Sequence, residues 1–184
     1  MSHTNTADEI ITFWFSEPVK RLWYSTNPAF ERLLRVNYLN LYRAASKHAL
    51  NHWGEEAEGS LALTIILDQF PSHMFRNEAE SFENEESARA IARNAIHKGH
   101  DNELKKYQKG FIYTPFMHSE SIEDQLYAIK LFEDAELTEH LKHAQQHHEI
   151  IKRFGRFPQR NRALGRISTT EEKEYLKLKE DLFA

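Results

Sequence analysis

Cysteine is absent from the 184 residues, so the chain has neither a disulfide framework nor a thiol nucleophile, in keeping with a reducing compartment. Glycine and proline are scarce, at 6 and 5, too few for a turn-rich β-sandwich and natural for a helical protein. Long apolar runs are missing as well. The most apolar stretch, Leu61 to Leu67 with Thr64 inside it, is far too short to span a bilayer. The N-terminus, Met-Ser-His-Thr-Asn-Thr-Ala-Asp-Glu, has neither the basic nor the apolar region of a signal peptide. These absences predict a soluble, cytoplasmic protein with no membrane partner.

One absence is local. No Asp or Glu occurs from Ile150 to Thr170, although the whole chain carries a formal net charge of -4. Within that window, Arg153-Phe-Gly-Arg156-Phe-Pro-Gln159-Arg160-Asn161-Arg162-Ala-Leu-Gly-Arg166 packs five arginines into fourteen residues. A guanidinium cluster broken by Gly, Pro and Phe reads as a shaped turn. Its planar forks match carboxylate or phosphate. Nucleic acid is excluded as a partner, because the basic residues form one turn rather than a stripe and the net charge gives no sustained basic field.

What remains is helical. Thr6-x-x-Glu9 is a capping box opening a short helix through Phe15, and Asn27-Pro28 caps a long one. Phe30, Leu33, Leu34, Tyr38, Leu41, Tyr42, Ala45, Ala49 and Trp53 recur at three and four residues, the stripe of an amphipathic helix. Gly59-Ser60 precedes a central apolar helix from Leu61 to about Phe70, which Pro71 is expected to stop. Further helices are predicted from Glu85 to Lys98 before Gly99, and from Asp101 to about Lys109. Gly110 to His118 reads as an aromatic-rich loop. The remaining helices run from Ser119 or Ser121 to Asp134, from Thr138 to Phe154 before Gly155, and from the Thr169-x-x-Glu172 capping box to about Leu182. Short connections predict antiparallel hairpins in a single domain spanning residues 1–184.

Three motifs carry a resemblance. They are Leu61-Ala-Leu-x-Ile65-Ile-Leu-Asp68-Gln-Phe-Pro71; Tyr113-x-Pro-Phe-Met-His118-Ser-Glu120; and His147 leading into Arg153-Phe-Gly-Arg-Phe-Pro-x-Arg160-Asn161 and Leu164-Gly-Arg166 with Ser168-Thr169. In this order and approximate spacing they resemble bacterial domain-of-unknown-function family 924, over about residues 10–175. The resemblance implies an all-α fold, with antiparallel hairpins stacked in a tetratricopeptide-like right-handed superhelix. It implies no activity. Gln159 stands where the family usually has His, and Ser72-His73 where it usually has Arg-Asn.

Several positions are chemically costly. Asp68 follows a nearly apolar helix, where its charge opposes the macrodipole and desolvation is expensive. It is either a carboxylate in a buried ion pair with a late arginine or a catalytic group. His118 and Glu120 flank Ser119 at a loop-to-helix junction, as an acid/base pair or as part of a helix start. His140, His143, His147 and His148 share one helix, with His147 near its apolar face. The zinc-protease pattern fails, since His148-Glu149 is followed by Ile-Ile-Lys, and no metal site or cofactor is expected. Candidate catalytic residues are therefore His118, Glu120 and Asp68. Candidate ligand-binding residues are Arg153, Arg156, Arg160, Asn161, Arg166 and His147, the arginines serving either as anion ligands or as structural ion pairs.

Two function classes are compatible with these residues. One is a small enzyme or metabolite-binding protein whose His/Glu/Asp/Arg pocket takes an anionic small molecule. The other is a tetratricopeptide-like module holding an acidic peptide or a protein C-terminus in a groove. No phosphate-binding glycine loop, dinucleotide fingerprint or complete catalytic triad is present.

Overall fold

In the computed structural model, residues 6–183 are described. Every regular element among them is a helix. In chain order these are α1 (Ala7–Trp14), α2 (Glu17–Lys20), α3 (Pro28–Ser46), α4 (Ala57–Thr64), α5 (Phe70–Met74), α6 (Glu85–Lys98), α7 (His100–Glu103), α8 (Lys106–Met117), α9 (Ile122–Asp134), α10 (Thr138–Phe154) and α11 (Thr170–Phe183). No described residue lies in a strand.

Local chemistry sets many of the helix ends. Thr6 and Glu9 exchange reciprocal capping bonds at α1. Asn27 Oδ1 accepts from the Ala29 and Phe30 amides at 3.0 Å each, ahead of Pro28. Gly99 and Gly155 close α6 and α10 in the left-handed region, at φ 79° and 69°. The stripe expected through Trp53 stops sooner. His48 takes a φ of 62°, ending α3 at Ser46, and Asn51–Glu55 forms a separate 3-10 turn.

The described residues fall into two compact units. The first comprises residues up to Arg76 together with Glu80–Pro115. Its centre is the apolar segment expected there, with Ile65, Ile66 and Leu67 at 0%, 0% and 3% exposure. Around Phe70 and Phe111 the aromatic rings interlock. Trp14 lies 5.7 Å from Phe70 and 5.9 Å from Phe111, and Trp23 lies 4.7 Å from Phe111.

Proline does not end helices here as expected. The segment begins at Ala57, before Gly59, and continues past Pro71 to Met74. Between α4 and α5, residues Ile65–Gln69 form a π turn in which the Phe70 amide donates to Ile65 O, five residues back. Proline cannot donate to the carbonyl four residues before it, and its ring crowds that group. The wider turn makes room for it. Asp68 consequently sits inside a continuing helix, not at its C-terminal end, so the macrodipole argument does not apply to it. Residues 110–118 are likewise not a loop, since α8 runs through Pro115 to Met117. Phe111, Ile112, Tyr113 and Phe116 are all buried along it. Burying one such side chain contributes about 1.5–3 kcal/mol, so four together outweigh the ~3 kcal/mol that an interior proline costs.

The second unit runs from Phe116 onward with Asn77–Ala79. The three residues between α9 and α10 form a tight connection, and the two helices pack on each other as a hairpin. Ile150, Ile151 and Phe157 form a core that Ile122, Phe154 and Tyr175 extend.

Gly59 is a helix-interior residue held by contact. A Cβ built there would lie 1.9 Å from the Trp53 carbonyl oxygen. Gly59→Ala should therefore destabilise the protein by about 1–3 kcal/mol, the usual cost of overpacking. Urea unfolding measures this. An unchanged midpoint would mean that α4 and the 51–55 turn do not approach so closely.

Candidate functional site

The acid-free arginine turn lies in the second unit, between the end of α10 and the start of α11. Gly155 turns the chain out of α10, and the buried Phe157 and Pro158 anchor the turn to the core. Residues Pro158–Arg160 form a 3-10 turn. Because the segment has no carboxylate of its own, its guanidinium groups reach outward, and Arg153, Arg156 and Arg166 pair with glutamates.

Arg166 makes the most complete pairing. Its Nη1 and Nη2 donate to Glu120 Oε2 and Oε1 at 2.7 and 2.9 Å, and its Nε donates to Asn161 Oδ1 at 2.9 Å. Glu120 Oε1 also accepts the Phe157 amide at 2.7 Å. Burial disfavours the charged form of Glu120, but the Arg166 hydrogen bonds, the Phe157 amide and the Arg160 charge outweigh it and hold the carboxyl below its ordinary range. The arrangement is a two-pronged guanidinium–carboxylate fork with its backbone locked in place.

Arg156 does the same with Glu172. Nε and Nη2 donate to the two carboxylate oxygens at 2.7 and 2.9 Å, and Nη2 also holds Ile167 O at 2.9 Å. Glu172 is simultaneously the capping-box acid of α11: Oε2 accepts the Thr169 amide at 2.8 Å, and the Glu172 amide donates to Thr169 Oγ1. Asn161, 1% exposed, donates to Ser168 Oγ and Glu172 Oε2. Arg156 foremost, with the Thr169 amide and Asn161, pulls the Glu172 carboxyl down to about 2 against the opposing effect of burial. Arg153 pairs with Glu171 at 2.8 Å, with both side chains more than half exposed, so this contact adds little stability.

Arg160, His118 and His147 form the other part of the cluster. Arg160 Nη2 donates to the His118 carbonyl at 2.8 Å, and its guanidinium lies 4.5 Å over the Phe157 ring. The His118 and His147 rings are 6.3 Å apart, and His147 packs edge-on against Phe157 at 5.2 Å. His147 Nδ1 is 3.0 Å from Met117 O. A carbonyl only accepts, so Nδ1 carries a proton. His118 and His147 are both half-buried.

Thus His118, Glu120, His147, Arg156, Arg160, Asn161 and Arg166, drawn from separate stretches of sequence, assemble in one unit. Asp68 belongs to the first unit. It is 4% exposed, with Oδ2 accepting from Gln69 Nε2 at 2.5 Å. Ser121, not Ser119, caps α9: its Oγ accepts the Asp124 amide, while Ser119 donates to Asp124 Oδ2 at 2.8 Å. No group of three or more His, Asp or Glu among the described residues is arranged to hold a metal ion, and no described helix is long and apolar enough to cross a membrane.

The chain matches, over residues 10–180, the family model described as bacterial protein of unknown function (DUF924). It belongs to this family. A solved structure of a protein of unknown function from Agrobacterium tumefaciens is similar to it at 38% identity, with a TM-score of 0.88, over 92% of this chain and 96% of that one. No curated protein matches it. Family membership agrees with the all-α fold but assigns no role to any residue of the cluster.

Glu172 was readable only as a cap in the sequence. Its second role as the Arg156 acceptor had a signal in hindsight, since it is among the first acids after the acid-free window. Its depressed pKa gives a signed prediction. The unfolded carboxyl titrates near 4.5 and the folded one at about 2, so its contribution is complete above 4.5 and disappears as pH falls toward 2. Comparing melting temperatures of the native protein and Glu172→Gln should show a gap that is constant above about pH 5.5 and closes in acid. A gap independent of pH would refute the assignment.

Proposed function

We propose that the protein binds an anionic small molecule at the face formed by Arg160, His118 and His147. In this reading the Glu120–Arg166 and Arg156–Glu172 forks are the frame that holds that face. The observation that carries it is the convergence of one guanidinium and two imidazoles. Arg160 donates to the His118 carbonyl and lies over the Phe157 ring, against which the half-buried His147 packs with the His118 ring 6.3 Å from its own.

The chemistry supports this reading. A guanidinium held on an aromatic ring presents a planar fork suited to carboxylate or phosphate while losing little freedom on binding. His147 adds an imidazole oriented by Met117 O, and His118 a second. If the site catalyses a reaction, these two rings are the proton carriers, and Glu120 is a positioning residue because its oxygens are already committed to Arg166 and Phe157.

Arg160→Lys is the test, read by thermal shift with inorganic phosphate and with succinate as probes. The native protein should gain stability saturably with at least one of them. The lysine variant should melt within a few degrees of native and lose that gain, because an ammonium cannot present the planar fork. Absence of a shift with both anions, or a lysine variant that binds as tightly as native, would overturn the reading.

A further inference from the structure

Between the end of α8 at Met117 and the start of α9 at Ile122 the chain leaves helical geometry, and neither glycine nor asparagine stands there to close α8. The last carbonyls of a helix have no partner within it, so side chains from elsewhere must supply donors. Three consecutive carbonyls, of Met117, His118 and Ser119, each receive one. Gln125 Nε2 donates to Met117 O and to Ser119 O, at 2.7 Å each. His147 Nδ1 donates to Met117 O at 3.0 Å, and Arg160 Nη2 to His118 O at 2.8 Å. The residue before Gln125 acts on the same segment, since Asp124 Oδ2 accepts the Ser119 hydroxyl at 2.8 Å.

Capping of α8 is the ordinary reading of these bonds, and it does not account for Gln125. One donor is enough for Met117 O, and His147 provides it; Ser119 lies beyond the helix. Gln125 is 0% exposed, and its two carbonyl acceptors fix the amide with Nε2 toward them. Its Oε1 is then sealed without a hydrogen-bond partner. A buried amide oxygen left unpaired costs free energy that an apolar side chain would not. What the glutamine supplies instead is geometry. The peptide plane before His118 is held at Met117 O by Gln125 and His147, and the plane after it at His118 O by Arg160. The next plane is held at Ser119 O by Gln125 again. Peptide units are rigid, so a Cα–Cβ bond is re-aimed only by rotating the planes beside it. The His118 side chain therefore leaves the backbone in a fixed direction.

We infer that Gln125 is a positioning residue, which locks the 117–119 backbone and thereby aims His118 and seats Arg160 at the anion face. Arg160 is anchored through His118 O, so a shift of that carbonyl displaces the guanidinium with it. The consequence for anion binding rests on the function proposed above; the consequence for His118 does not.

Gln125→Met tests this, because it keeps the approximate volume of the side chain and removes both donors. In NMR spectra the ring signals of His118 and His147 should shift and broaden in the variant. Calorimetric titration with phosphate and succinate should show it binding about tenfold more weakly whichever anion the native protein binds. Leu137→Val, a core substitution at the far end of the α9–α10 hairpin, should lower the melting temperature but leave ring signals and affinity native. Native ring signals in a folded Gln125→Met protein would overturn the inference, as would the same ring changes in Leu137→Val. If the native protein binds neither anion, the anion-site reading fails by itself, and the ring signals still decide the role of Gln125. If Gln125→Met does not fold, the native protein decides. Both Gln125 side-chain amide protons should then exchange with solvent about a hundredfold more slowly than those of the exposed Gln145, and equal rates would overturn the clamp.

Discussion

Arg156 and Arg166, half-buried in a segment without a carboxylate, must be neutralised from outside it, and that requirement organises the second unit. An unpaired guanidinium at a half-buried position costs several kcal/mol, so the turn is stable only where the start of α9 and the start of α11 bring Glu120 and Glu172 to it. Each glutamate also accepts a backbone amide, of Phe157 and Thr169 respectively. The charges therefore fix the path of the main chain as well as compensate each other. Phe157, buried beneath, gives the turn an apolar anchor that ion pairs alone would not supply.

The first unit rests on a different constraint, the packing of large rings around a helix that contains proline. The Trp14 ring meets both Phe70 and Phe111, and the π turn at Ile65–Gln69 keeps Phe70 in register while Pro71 passes. Nearby, His73 is buried with Arg76 donating to its Nδ1 at 3.2 Å. Burial first, and the Arg76 charge second, push its pKa down to about 4. The imidazole is thus a neutral core group, and the unfolded chain gains a proton below about 6.5 that the folded one refuses until about 4. Acid weakens this unit in that window.

The two units dispose of their carboxylates differently. In the second unit, Glu120, Glu171 and Glu172 are paired with Arg166, Arg153 and Arg156 of the turn. In the first unit, Glu55 is engaged by Lys98, while Asp8, Glu56, Glu58 and Glu103 have no ion-pair partner among the described residues. A net charge of -4 for the whole chain conceals this separation.

Much of the fold was legible in the residues themselves. Capping boxes at Thr6 and Thr169, the Asn27-Pro28 start, and Gly99 and Gly155 as stops act through neighbours three or four positions away, so one dimension suffices to read them. The sequence also placed His118, Glu120, Arg160 and Arg166 as residues with unmet chemical needs. It could not say which need met which, because Glu120 and Arg166 are 46 residues apart and only folding makes them adjacent. Pro71 and Pro115 misled for the same reason. Their local cost is real, but tertiary burial of Phe70, Phe111 and Phe116 is larger, and no local rule contains it. The grouping of Asp8, Glu58 and Glu103 around one cleft was invisible, since they share a surface only after α1, α4 and α7 pack. Local hydrogen bonding is decided along the chain; the pairing of distant charges and the yielding of a helix to its core are decided in space.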